Sequence, residues 1–188
     1  MAVDHSPRRT GTGDPGGQVS RAGAARIDDV APLWMALQDY HASGAGHLEA
    51  VRAFQPAGDS WAIRRRQYLE YLAGDLAAAL FLAEQDGQVV GYALVRNVPA
   101  GPTLRTGSTV GHLESLAVLP AYRSAGLGRA LLDAVWAVLR EWGISEITVN
   151  VMAGNLRAEQ IYRRMGLVPF TTSLVGRIAP AVPGQPRS

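Results

Sequence analysis

The run Arg123-Ser124-Ala125-Gly126-Leu127-Gly128 stands directly before an amphipathic stretch in which Leu127, Ala130, Leu131, Ala134, Val135, Val138 and Trp142 share one helical face. Glycines at 126 and 128 let the backbone approach a bound group closely. The free N–H groups of the helix's first turn, with its dipole, then make an anion site. This is a phosphate cradle without lysine, because every one of the 18 basic residues is Arg. Cysteine is absent as well. Those two gaps exclude a Schiff-base lysine, a thiolate nucleophile, a CxxC redox pair and a cysteine zinc site. His5, His41, His47 and His112 form no HExxH, and no GxSxG occurs, so no metal site is expected and no nucleophile elbow can be built. The chemistry is left to carboxylates, tyrosine, backbone amides and a ligand.

The elements that position this loop can be read from the apolar periodicity. Residues 1–23 mix Gly, Pro, Ser, Thr and Arg without an aromatic, and are expected to be a disordered leader. The folded domain is placed at 24–178, and 179–188 is a flexible tail. Within the domain a short strand is expected near Ala24–Ile27. A helix capped by Asp28-Asp29 follows, with Val30, Leu33, Trp34, Leu37 and Tyr40 on one stripe, and then a helix over Trp61–Leu72 with Asp59-Ser60 as its cap signal. Arg64-Arg65-Arg66 in that helix reads as a solvated face. Asp86-Gly87 marks a hairpin turn between extended runs. A longer strand spans Val110–Leu119, the amphipathic helix stops at Gly143, a strand covers Ile147–Val151, and Asn155 caps a helix that ends at Gly166. A last strand is expected over Val168–Ile178. The strand–helix–strand order after Val110 calls for a parallel pair.

With 188 residues, 47% apolar, the chain suits one core. The net charge is only +2, and the presumed domain is neutral with 14 Arg against 14 acids, which gives no support to nucleic-acid binding. No apolar run approaches the roughly 20 residues of a membrane span, so no membrane partner is expected and a cytoplasmic location is the simplest inference.

A dinucleotide fingerprint does not fit, since Leu131 stands where its third glycine belongs and Leu119 to Arg123 intervene between strand and glycines. Instead, the run from His112 through Leu116-Ala117-Val118-Leu119-Pro120 to Arg123-Ser124-Ala125-Gly126-Leu127-Gly128 resembles the acyl-CoA loop of the GNAT N-acetyltransferases. That signature is Arg/Gln-x-x-Gly-x-Gly/Ala after a strand ending in Val-x-Pro. A second block, Asn155-Leu156-Arg157-Ala158 followed by Ile161-Tyr162 and Met165-Gly166-Leu167, is similar to that family's Asn-x-x-Ala-x-x-x-Tyr-x-x-x-Gly-Phe helix. Two departures are visible: Ser124 stands where Gly is frequent, and Leu167 replaces Phe.

The resemblance implies an α/β (α+β) fold with a central, mostly antiparallel mixed sheet, a parallel and splayed fourth and fifth strand, and about four flanking helices. It implies acetyl-CoA as co-substrate, direct transfer to an amine acceptor in a ternary complex, and a homodimer as the frequent assembly. Leu116, Ala117 and Val118 would meet pantetheine and the acetyl carbonyl. The amides of Arg123, Ser124, Ala125, Gly126, Leu127, Gly128 and Arg129 would take the pyrophosphate, and Asn155 would add a contact beyond its cap. Tyr162 is the implied proton donor to the leaving thiolate. An amine with a pKa near ~10.4 must lose a proton before attack, and Glu114 is the first candidate to accept it. Glu114 precedes Leu116 by two, which on a regular strand puts both on one face. His112 is the second candidate. A catalytically weak CoA-binding sensor or assembly module of the same fold is the alternative.

Overall fold

Asp86 and Gly87 both adopt left-handed backbone, with φ of 52° and 76°, which is the geometry of a two-residue hairpin turn whose twist matches its strands. They join β2 (Ala78–Gln85) to β3 (Gln88–Pro99) in a computed structural model that describes residues 17–102, 105 and 107–178. β1 (Gln18–Ala22) and β4 (Thr109–Val118) pair antiparallel on either side of that hairpin, and β5 (Ile147–Val149) joins β4 in parallel. The sheet order is β1-β2-β3-β4-β5. On one face lie α1 (Ala31–Ser43) and α2 (Ala57–Ala73), with Leu33, Trp34 and Tyr68 packed against Leu80, Leu82, Tyr92 and Leu94. On the other lie α3 (Leu127–Glu141) and α4 (Leu156–Arg164), whose Leu131, Leu132, Val135 and Tyr162 pack on Phe81, Ala93, Val95 and Leu113.

The α/β architecture, the parallel β4–β5 pair and the four α-helices are those expected from the sequence. Four local expectations are corrected. First, the opening strand is Gln18–Ala22, inside the span expected to be a disordered leader, and 24–30 forms a 3-10 turn instead. Val19 and Ala22 find apolar partners on the sheet, which composition alone cannot reveal; residues 1–16 and 179–188 lie outside the described residues. Second, Asp28 and Asp29 cap nothing: they pair with Arg65 and Arg26, and α1 begins at Ala31 with Pro32 in its first turn. Third, α2 starts at Ala57, and Ser60 accepts a hydrogen bond from Trp34 Nε1 at 3.2 Å rather than capping. Fourth, 168–178 contains no strand. Val168, Phe170, Leu174 and Ile178 are exposed, the segment pairs with no described strand, and Pro169 removes a donor.

β4 holds the irregularity that matters most for the site. Leu94 faces Ser115 while Val95 faces Leu113, so Glu114 is an extra residue on β4, a β-bulge. From this point the two sides of the strand exchange. Leu113, Leu116 and Val118 pack toward α3, whereas Ser115 bonds Tyr68 of α2 and Glu114 pairs with Arg64 of α2. Glu114 and Leu116 therefore point to opposite faces, against the expectation for a regular strand.

Candidate active site at the β4–β5 opening

β4 and β5 pair at only three positions, Gly111, His112 and Leu113 against Ile147, Thr148 and Val149. Beyond Leu113 no described strand continues the ladder on that edge, and the gap opens into a cavity of about 550 Å³. That volume suits a small-molecule site. Its walls are the end of β4, the 123–129 loop with the start of α3, the inner face of α4, and Leu33, Leu37 and Tyr40 of α1.

The loop is shaped by its backbone. Gly126 caps α3 at φ 81°, and Ser124 sits at φ 75°. A left-handed conformation is free for glycine and strained for serine, which accounts for the frequent Gly at that place in the pattern the loop resembles. No side chain caps α3, so its first N–H groups stay available to a ligand. Arg123 turns back, donating from Nε to the Val118 carbonyl at 3.0 Å, with its guanidinium 5.7 Å from the Tyr40 ring centre. Arg157 and Arg164 of α4 also line the cavity. With Arg129 of α3, cations from the loop and two helices thus ring a space that opens on free amides.

Asn155 is the N-cap of α4: its Oδ1 accepts from the Ala158 N–H at 3.2 Å and from the Tyr40 hydroxyl at 3.4 Å. That second bond ties α1 across the opening. Tyr162 lines the cavity with its ring packed in the α3 core. Burial pushes its hydroxyl up from the ordinary 10.0 to about 12, so it keeps its proton throughout the neutral range.

Of the expected cofactor contacts, Leu116, Ala117, Val118, Arg123, Ser124, Gly126, Gly128, Arg129, Asn155 and Tyr162 all line this one cavity. Ala125 and Leu127 do not: Ala125 is exposed and the Leu127 side chain is buried in the core, so either could contribute only its amide. Glu114 and His112 lie outside the lining. Glu114 is 9% exposed and both its oxygens are engaged, Oε1 by Arg96 Nε at 2.5 Å and Oε2 by Arg64 at 3.5 Å. His112 Nδ1 is 2.8 Å from the Thr148 hydroxyl, which donates to the Gly111 carbonyl at 3.3 Å. This pattern assigns the proton to Nδ1 and leaves a lone pair on Nε2. Burial, aided by the Arg96 charge and opposed by Glu114, holds His112 below its ordinary value and therefore neutral at pH 7.

The α1 wall was not foreseen as part of the site, although Leu33, Leu37 and Tyr40 already shared a stripe in the sequence. Nor was Arg64. It leaves the solvated face expected for 64–66, stacking 4.6 Å from the Trp34 ring centre and 5.5 Å from that of Tyr68.

The buried phenols predict an alkaline limit to stability. Burial raises Tyr68, Tyr92 and Tyr162 above 10.0. Each thus stabilises the fold fully below the unfolded value near 10, and that contribution is lost as pH rises through the folded value. For Tyr162 the two-unit difference corresponds to about 3 kcal/mol at full loss. Titration from pH 9 to 12.5 should show the tyrosinate absorbance of these three phenols, half of the six in the chain, appearing only with loss of helical circular dichroism. More than three tyrosinates in a still-folded chain would contradict the burial argument.

The description "Acetyltransferase (GNAT) family" belongs to a family model that matches residues 44–167. An N-alpha-acetyltransferase of Sulfurisphaera tokodaii is 37% identical over 106 residues, covering 53% of this chain and 61% of that protein. The chain thus spans about three-fifths of the length of this curated relative. Among solved structures, a GCN5-related N-acetyltransferase from Ralstonia eutropha JMP134 superposes with a TM-score of 0.68 at 20% identity, over 87% of this chain and 99% of that one. A predicted acetyltransferase from Clostridium acetobutylicum solved with acetyl-CoA gives 0.64 at 16% identity, over 84% and 94%. The family match spans the opening, the glycine loop and the α4 tyrosine together, and the chain belongs to the GNAT acetyltransferase family.

Proposed function

We propose that the protein is an acetyl-CoA-dependent N-acetyltransferase acting on a primary amine by direct attack in a ternary complex. The observation that carries this reading is the cavity itself, where unpaired β4 backbone, the uncapped start of α3 and a protonated tyrosine meet. The relatives' names and the acetyl-CoA-bound Clostridium acetobutylicum structure point the same way.

Acetyl-CoA, when bound, supplies an activated acetyl thioester. The loop amides from Ser124 to Arg129 are suited to its pyrophosphate, and Arg123, Arg157 and Arg164 add charge at the rim. Main-chain groups of Leu116 to Val118 offer hydrogen bonds to an extended chain, the way an added strand does. Amides that meet an acyl oxygen stabilise the negative charge that develops there. Tyr162 holds a proton where a departing sulfur needs one. With a value near 12, against ~8.5 for an ordinary thiol, it serves a thiolate best by donating a strong hydrogen bond.

The acceptor's proton leaves on the α2 side of β4. Glu114 is committed to two arginines, whereas His112 offers a free Nε2 lone pair, and water carries the proton between amine and ring. His112→Gln should therefore remove the acid limb of the kcat/KM profile, which falls as His112 takes its proton below pH 6.5. Glu114→Gln, which removes the charge that favours the protonated ring, should keep that limb and shift it to lower pH. The reverse result would return the role to Glu114, and an unchanged limb in both variants would give it to water.

Thiol release from acetyl-CoA over a panel of primary amines tests the whole reading. Tight acetyl-CoA binding without turnover of any amine would instead make the chain a sensor or assembly module.

A further inference from the structure

The β4 bulge places a second polar cluster on the face opposite α3. Arg64 and Arg96 flank one carboxylate, Glu114; the His112 imidazole, its Nε2 4.0 Å from Glu114, and the Tyr68 and Tyr71 phenols are the other titratable groups beside them. Two guanidinium groups against one carboxylate and a neutral imidazole leave excess positive charge. The two arginines are not used alike. Arg96 is spent on Glu114 at 2.5 Å and lies 4.4 Å from the Tyr71 ring centre. Arg64 makes one long 3.5 Å contact, and among the described residues its other donors have no protein acceptor.

Its plane is nonetheless held, since the rings of Trp34 and Tyr68 both contact it. Trp34 is fixed by Ser60, and Tyr68 by the Ser115 hydroxyl. A guanidinium packed on aromatic faces, with donors to spare and its side chain 27% exposed, is pre-organised to take a carboxylate in a forked pair. It is also close to the chemistry. Glu114, 3.5 Å from Arg64, is also 4.0 Å from Nε2 of His112, the proposed acceptor of the amine's proton.

We propose that Arg64 is an acceptor-recognition residue that binds a carboxylate carried by the amine substrate. Arg96 shares Glu114 with it, so one carboxylate stands against two guanidinium groups. The proposal rests on the transferase reading and narrows its acceptor class to aminocarboxylates. Polyamines and other purely cationic amines meet like charge at the same place and are disfavoured.

L-lysine and cadaverine differ by that carboxylate alone and make the test. With acetyl-CoA, L-lysine should exceed cadaverine in kcat/KM by about tenfold or more, and calorimetry with CoA present should show the same order of affinity. Arg64→Gln should bring the ratio to within about twofold. Arg64→Lys, which keeps charge but loses the fork, should give an intermediate ratio and guards against a folding defect in the first variant. A native ratio of one or below, or a ratio unchanged in both variants, overturns the proposal. Carboxylate-dependent binding with no turnover of either amine would sink the transferase reading and leave the Arg64 subsite standing.

Discussion

Gly128→Trp is expected to yield a folded protein that no longer binds acetyl-CoA measurably, a loss of about a hundredfold or more in affinity. Gly128 lines the cavity, and a Cβ built there stands 3.9 Å from a Val118 methyl, in ordinary contact. The first atom is thus tolerated, while an indole beyond it enters the gap between β4 and the start of α3. Its backbone is not left-handed, so the helix start survives. Gly126 differs: a Cβ there meets nothing within 4 Å, but φ is 81°. Substitution at 126 costs roughly 1–2 kcal/mol of backbone strain and acts on stability first. Unchanged CoA affinity in a Gly128→Trp chain with native circular dichroism would remove the loop from the binding site.

Tyr162→Phe should lower kcat by about 10², the scale of a positioned proton donor, with acetyl-CoA affinity nearly constant. The ring is 9% exposed and packs with the α3 core, and Phe keeps that packing. Only the hydroxyl is lost. Because Tyr162 holds its proton to about pH 12, its removal should scale the pH profile down without reshaping it below pH 10. Full turnover in Tyr162→Phe would reduce this tyrosine to a core aromatic.

The parts of the site that the sequence disclosed are those built from local chemistry. Asn155 caps α4, Gly166 adopts the left-handed backbone that stops it, and Asp86-Gly87 makes the hairpin turn, since each signal acts within a few residues. The α3 face likewise appeared at full length because 3.6-residue periodicity is written in the chain itself. What stayed hidden depends on partners far away in sequence. The bulge at Glu114 exists only in register with β3. The partner of Gln18–Ala22 is β2, some 60 residues on. Asp28 and Asp29 resemble caps until Arg65 and Arg26 reach them. Arg64 and Arg65 are adjacent, yet one stacks on Trp34 and the other meets Asp28, a division that only the folded arrangement of α1 and α2 can make.

The unpaired stretch of β4 has a consequence for self-association. A strand edge with open N–H and C=O groups is a template on which another chain can add, and proteins ordinarily blunt such edges with charge, proline or a covering element. Here the edge beyond Glu114 and Ser115 carries Leu116, Ala117 and Val118, three apolar residues in a row. Its shield is architectural: α1 and α4, tied by the Tyr40–Asn155 hydrogen bond, wall it so that a slender extended chain can enter and a second sheet cannot. Loosening α1 therefore converts a ligand groove into a nucleus for cross-strand aggregation, and a bound occupant that completes the ladder protects the protein against it.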